Sequence, residues 1–358
     1  MQTKALKYLS VLTLPCMVAL AFTQLGFFTF LPLLYAFGFI PLLELFMNPN
    51  HANLTAMEEE MARHDRLYDW VVYAIVPLQY AFLGWFFWLV HTTSGIQVYE
   101  WVGLVLSMGI MCGSVGINVA HELGHRDKPY EQTLAKVLLL SSLYMHFFIE
   151  HNRGHHKHVS TEEDPASARY NEPIFFFWLR SLAGGYCSAW KLEADRLHKK
   201  GLSWLHWKNE MLLFQAIQLG TVGAVALLFS PFTALLFMSA SLVGALLLET
   251  VNYIEHYGLQ RAKKGISVYE RVMPHHSWNS DHPIGRLLLF ELSRHSDHHY
   301  QANRKYQVLR FHEESPQMPT GYPGMMLLAL FPPLWFKVMN PKVDRWKEQY
   351  LPAASTSL

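Results

Sequence analysis

Cysteine is scarce in this chain, charge is thin, and no glycine-rich phosphate loop interrupts it. Only Cys16, Cys112 and Cys187 occur in 358 residues. Two of them lie inside apolar runs, so neither a disulfide framework nor a thiolate metal site is indicated. No nucleotide-binding fingerprint stands out, and a formal net charge of +1 offers no basic face for nucleic acid. Internal repeats and low-complexity linkers are also missing, apart from the small polar tail Pro352 to Leu358. What the chain has instead is apolar mass: 51% hydrophobic and 14% aromatic residues against 16% charged. Length alone would allow two soluble domains, but the apolar residues are gathered into long blocks, which argues against it.

Crossing a bilayer takes about 20 apolar residues in a helix. Six blocks qualify, at approximately 8–27, 28–47, 69–90, 99–120, 211–230 and 232–256. The first could pass for a signal peptide, but it runs straight into the second without a small-residue cleavage site, which favours a helical hairpin. Pro77 predicts a kink in the third block. Residues 48–67 read as a polar loop or short helix. Leu134 to Ile149 reads as a short buried or half-inserted helix leading to His151, and Pro173 to Trp190, rich in aromatics, as an interfacial segment. Met325 to Met339, interrupted by Pro332 and Pro333, reads as surface-lying rather than as a seventh span.

Six spans place both termini on one side. The short far-side loops, near residue 27, at 91–97 and near 231, contain no Lys or Arg. The positive-inside rule then assigns the termini and the regions 121–210 and 257–358 to the cytoplasm. The expected architecture is all-α: one polytopic membrane domain over 1–358, with six transmembrane helices and a cytoplasmic cap of helices and loops.

The cap holds the chemistry. Twenty histidines occur, and eight of them fall into three boxes: His121-Glu122-Leu123-Gly124-His125, His151-Asn152-Arg153-Gly154-His155-His156, and His295-Ser296-Asp297-His298-His299. Spacings of three and four put imidazoles on one helix face. Unpaired and protonated, such rings would repel one another and be costly to bury; ligation of a metal by neutral rings removes both problems. The bland readings are interfacial histidines for the first box and a solvated basic loop for the second. HELGH taken alone also fits the H-E-x-x-H zinc-protease pattern, with Glu122 as base. A catalytic zinc takes about three protein ligands, so eight clustered histidines suit two ions of imidazole preference, iron being usual where oxygen is activated. The soluble di-iron carboxylate proteins use Glu and Glu-x-x-His ligands; such carboxylate pairs are not evident here. Spacing does not select His256 over His146, His158, His275 or His276. Asp297, between its histidines, is placed to orient a ring; Asp164 and Glu255 are further candidates.

With these motifs in order, the chain resembles the integral-membrane alkane 1-monooxygenases (alkane omega-hydroxylases). They belong to a histidine-rich membrane di-iron group that also holds fatty-acid desaturases and xylene monooxygenases. The three boxes mark the wider group. The narrower likeness rests on Asn252-Tyr253-Ile254-Glu255-His256-Tyr257-Gly258, His276-Ser277-Trp278-Asn279-Ser280, Leu292 to His299 and Gly321-Tyr322-Pro323-Gly324-Met325. It covers nearly the whole chain and is weakest before residue 60. The resemblance implies two non-haem irons held by His121, His125, His151, His155, His156, His256, His295, His298 and His299, with His256 entering on resemblance alone. It implies oxidation of a medium-chain n-alkane to a primary alcohol with O2. Electrons would come from a rubredoxin, reduced by an NADH-dependent rubredoxin reductase. The setting would be the bacterial inner membrane, with the site facing the cytoplasm and substrate arriving from the lipid. His158 stands where a non-histidine is more usual and reads as an outer or surface residue. Ile117 and Leu248 are candidate channel residues, with simple helix packing as the alternative.

Rival functions leave different marks. A metal transporter would carry ionisable residues through its spans, which are almost free of them here. Desaturation of a fatty acyl chain, or oxidation of an aromatic methyl group, would use the same centre. An intramembrane zinc protease would leave the second and third boxes idle. We expect His298→Ala to abolish turnover while Glu122→Gln retains it. The opposite pattern, read from the activity of the two purified variants, would mark a protease.

Overall fold

Apolar segments of this length can satisfy their backbone in lipid only as helices or closed barrels, and here they form helices. The computed structural model describes residues 2–265 and 268–351; the tail Pro352 to Leu358 lies outside the described residues. Among the described residues six helices are long and apolar enough to cross a membrane: Leu6–Gln24, Gly26–Glu44, Arg66–Thr92, Val98–Gly124, Glu210–Leu228 and Pro231–His256. Among the described residues the only strands are the short pair Lys263–Gly265 and Val268–Tyr269. The chain is an all-α, multi-pass membrane protein.

The fourth span is the hub. In its most apolar stretch 72% of residues are buried by other elements, against 17% in the second span and 22% in the fifth. Outward-facing side chains such as Leu34, Leu219 and Leu227 are left exposed, as lipid contact requires. Glycines bring the fourth and sixth spans together. A Cβ at Gly109 would stand 2.5 Å from Val243 Cβ, and one at Gly244 would stand 2.8 Å from Cys112 Cβ. Small residues at such crossings let helix backbones approach closely. The sixth span starts cleanly, with Pro231 in its first turn behind Ser230, whose Oγ accepts from the Thr233 N–H at 3.0 Å.

Beyond the bundle a second core gathers Tyr253, Tyr257, Trp278, Tyr322, Trp335 and Trp346. Two local expectations change. Met325 to Met339 is not simply surface-lying. It forms the helices Tyr322–Ala329 and Pro332–Tyr350, which bury Met325, Trp335 and Met339 in this second core while exposing Phe331 and Leu334. Pro77 falls inside the continuous third-span helix Arg66–Thr92. The segment Leu134 to Ile149 is not one helix either: Pro129–Leu140 stops, and a new turn, Phe147–Glu150, leads into His151. The break is a Schellman closure: Tyr144 N–H donates to Leu139 O and Leu143 N–H to Leu140 O, both at 3.0 Å. Its left-handed residue is Leu143, at φ 49°, where glycine would be usual, so composition gave no warning of it.

The glycine contact yields a test. Gly244→Leu should wedge the fourth and sixth spans apart, with an overpacking cost of about 1–3 kcal/mol. A thermal midpoint in detergent unchanged from wild type would show that the crossing has slack.

Candidate metal centre

Three stretches and one helix end converge beneath the bundle. The fourth span runs past Ala120 to Gly124, so His121 and His125 sit a turn apart at its foot. The sixth span ends on His256. The chain then reverses through Gly258 at φ 71°, where a Cβ would meet Val343 Cγ1 at 2.8 Å. The third box is a short helix, His295–Tyr300.

The second box departs from the expected α-helical face. His151–His155 is a π turn, and closing i→i+5 bonds widens the turn. His151 therefore shares its surroundings with His156, five residues on, at 3.1 Å between their Nε2 atoms. His155 is sent elsewhere. Its Nε2 stands 3.2 Å from His299 Nε2.

The nine histidines divide into two sets. His121, His125, His151, His156 and His298 form one; His155, His256, His295 and His299 form the other. Within each set the available ring nitrogens all lie within 4.8 Å of one another. The second and third boxes are each split between sets, which interlocks them: the rings of His156 and His299 stack across the divide at 4.4 Å.

The nitrogen geometry suits a cation. His125, His151, His156 and His298 form a chain of Nε2 contacts at 3.0, 3.1 and 3.1 Å. A neutral imidazole nitrogen either carries its one hydrogen or accepts, so three successive contacts cannot all be hydrogen bonds. Lone pairs must face each other unless a cation collects them, and neighbouring nitrogens on a metal with bonds of about 2.1 Å stand about 3 Å apart. Burial, aided by neighbouring imidazoles, pushes His151, His156, His295, His298 and His299 well below the usual imidazole range, and His125 down to about 3. Neutral rings are the ligating form.

The carboxylates behave differently from one another. Asp164 Oδ2 accepts from His155 Nδ1 at 2.9 Å and from Ser167 Oγ at 2.6 Å. Burial works to raise the Asp164 carboxyl, but the facing His155 ring and these bonds hold it below its ordinary value. Glu255 stands on the nitrogen face itself: Oε2 is 3.2 Å from His295 Nε2, while Oε1 accepts from Tyr322 Oη at 2.7 Å. Asp297 does not orient a clustered ring, contrary to expectation. It turns outward to Arg304 at 2.9 Å, His312 at 2.7 Å and the Arg310 N–H at 2.9 Å, because a residue between His295 and His298 on a helical turn points off their face. Glu122, the base a protease would need, is bound to Arg126 at 2.6 and 2.9 Å.

An apolar cavity opens above the nitrogens, with about 1020 Å³ of empty space including its mouth. Its walls include Val11, Phe37, Ile40, Leu248 and Met326, and its polar end carries Asn118, His121, Glu255 and His295. Leu248 therefore lines it. Ile117 does not; it is fully buried on another face, since the fourth span passes through a π segment at Met111–Ile117 that turns Gly113, Ser114 and Val115 inward instead. His158 pairs with Glu163 at 3.0 Å near the surface. His275 and His276 gather with Glu270 apart from the nine. His146 lies beside the centre, where burial lowers it to about 4. Tyr322 and Glu249 went unremarked as site residues, although a carboxylate inside an apolar span is itself a signal.

A lipid-embedded helix bundle with an imidazole-rich floor defines the class of membrane oxygenases and desaturases, and residues 98–329 match the family model described as fatty acid desaturase. "Alkane 1-monooxygenase 2" of Pseudomonas aeruginosa is 44% identical over 312 residues, 86% of this chain and 82% of that protein. "Alkane 1-monooxygenase 1" of Alcanivorax borkumensis is 39% identical over 316 residues, 88% and 78% of the two chains. The xylene/toluene monooxygenase hydroxylase component of Pseudomonas putida is 30% identical over 249 residues, 69% and 66%. The chain belongs to the alkane 1-monooxygenase family.

The buried carboxylates give contrasting expectations. Asp164→Ala should weaken metal binding by about 10- to 100-fold, as loss of a ring-orienting partner does, whereas Asp297→Ala should leave it close to wild type. Metal titration of both variants checks the pair; equal losses would erase the distinction.

Proposed function

We propose that this chain is a membrane di-iron monooxygenase that converts the terminal methyl of medium-chain n-alkanes to a primary alcohol. The observation that carries the reading is the meeting of two converging imidazole sets with the polar end of an otherwise apolar cavity. The nine histidines would hold two irons, the five-membered set one and the four-membered set the other. Iron is the ion of imidazole preference suited to oxygen chemistry, and when bound it supplies dioxygen activation and oxidising power toward a C–H bond. Asp164 steadies His155, and Tyr322 fixes the Glu255 carboxylate against His295.

The rest is positioning. Leu248 and its neighbours take an alkane from the lipid, desolvate it, and hold it lengthwise so that a methyl end rather than a methylene reaches the nitrogens. The reaction consumes alkane, O2, two electrons and two protons and yields alcohol and water. A rubredoxin, reduced by an NADH-dependent reductase, fits the donor role. The positive-inside asymmetry favours a cytoplasmic face for the histidines and both termini, in a bacterial inner membrane. Oxidation of an aromatic methyl group is the second reading, favoured by the similarity to the xylene/toluene component.

The deciding measurement is metal content of the purified protein, together with turnover of an alkane and a methylarene series under a rubredoxin system. Two irons and a primary alcohol are expected; one zinc and no oxidation would overturn the reading. Within the series, Leu248→Trp should shift preference toward shorter alkanes, and an unchanged product profile would remove Leu248 from the channel.

A further inference from the structure

A second pocket touches the same centre, and hydroxyl, amide and carboxyl groups share its lining with apolar side chains. It offers about 300 Å³ of empty space including its mouth and is bordered by Tyr144, Glu150, His151, Ser181, Glu249 and Asn252. Phe147, His151 and Asn252 also line the apolar cavity, so these three form the wall between the two spaces. On another side the pocket meets Pro165 and Ala166, next to Asp164, and Gly185.

Glu249 is the unusual member. It lies inside the sixth span, before His256 on the same helix, and it is 3% exposed. A carboxyl inside a membrane helix is expensive and marks function by default. Tyr144 Oη donates to its Oε1 at 2.8 Å, and Ser181 Oγ donates to its Oε2. Asn252 Nδ2 stands 3.4 Å from the same oxygen. Glu150 borders the pocket from the second-box side, with its Oε1 buried and without a hydrogen-bond partner. His146 completes the titratable lining.

We propose that this pocket is the proton inlet of the metal centre, with Glu249 as its relay group. This rests on the monooxygenase reading above. Each turnover, alkane plus O2 plus two electrons from the donor protein, needs two protons to yield one alcohol and one water. The apolar cavity can deliver alkane but cannot conduct protons. The second pocket can: a water within it would meet the free Glu150 oxygen and the Glu249 network, having the several polar partners a buried water needs. Protons pass from water to Glu249 and on toward the His151 side, and the Tyr144 hydroxyl holds the carboxyl in line. Glu249 acts through the pocket and does not touch the nine histidines, so it is a positioning and relay residue.

The alternative is a purely structural tie, since Glu249 links three elements. Glu249→Gln keeps the shape and the acceptor for Tyr144 but cannot pass a proton. The variant should retain two irons, lose at least about tenfold in alcohol formation, and oxidise more donor per alcohol, with peroxide released. Its H2O/D2O rate ratio should exceed that of the wild type, and Glu249→Asp should restore part of the coupling. Independently of turnover, radiolytic labelling of the purified enzyme in H2¹⁸O should mark Tyr144, and Gly185→Leu, which narrows the pocket, should suppress that mark. Loss of iron in Glu249→Gln, wild-type coupling and isotope ratio in that variant, or an unlabelled Tyr144 would each overturn the inlet. Absence of iron or of alcohol in the wild type would sink the reading beneath it instead.

Discussion

Nine imidazoles packed nitrogen to nitrogen make an arrangement that protein atoms cannot satisfy among themselves. Each Nε2 in the chain from His125 to His298 has a like nitrogen at 3.0 or 3.1 Å, and each ring has a single hydrogen to offer when neutral. The remainder of the structure has to hold that crowding in place until a cation relieves it. Glycine contacts between the fourth and sixth spans fix the foot of one helix relative to the other, and with them His121 and His125 relative to His256. The π turn divides the second box, sending His151 and His156 to one set and His155 to the other. The third box is divided too. Neither of these two boxes can move without disturbing both sets, so the two sites are mechanically one.

This coupling sits between two solvents. On one side is a cavity walled by aliphatic and aromatic side chains, where desolvation strengthens every electrostatic interaction that does occur. On the other is a smaller pocket where hydroxyl, amide and carboxyl groups are set among apolar side chains. Phe147, His151 and Asn252 border both. An oxidation that consumes an oil-soluble substrate and protons together needs both environments within reach of one centre. A uniformly apolar surround would starve it of protons, and a uniformly wet one would not hold the alkane.

Much of this was legible in the chain because the signals are coarse and strongly selected by physics. Apolar blocks of spanning length leave the backbone few options, and histidines at three- and four-residue spacing announce a shared face. The details that escaped all depend on backbone geometry without a compositional mark. A π turn looks like an α-helix in sequence, so His151 and His155 read as face partners although they serve opposite sets. A π segment in the fourth span likewise turned Ile117 away from the cavity while Leu248, on a regular helix, lines it. Asp297 lies among ligand candidates in sequence but on the opposite side of its helical turn, where Arg304 compensates its charge and the His312 ring meets it at 2.7 Å. His256 had no box of its own, and only resemblance singled it out.

The strained residues of the backbone show how the boxes are delivered. Non-glycine residues at positive φ include Leu143 ahead of the second box, Ser160 just after it, and Phe290 with Glu291 ahead of the third. Each such conformation costs on the order of 1–3 kcal/mol and persists only where its surroundings over-determine it. Here they do. Ser160 is held by a bond from its Oγ to His276 O at 2.7 Å, and its N–H donates to Ser167 Oγ at 2.8 Å. Glu291 accepts from Tyr8 Oη and from Arg286, both at 2.6 Å, while Phe290 stacks on the Tyr8 ring. The first box arrives on a membrane helix, whose axis already aims it at the centre. The second and third arrive on short turns that must be bent into place, and the bending is anchored by groups as distant in the chain as Tyr8. The first span thereby helps to set a centre to which it contributes no ligand.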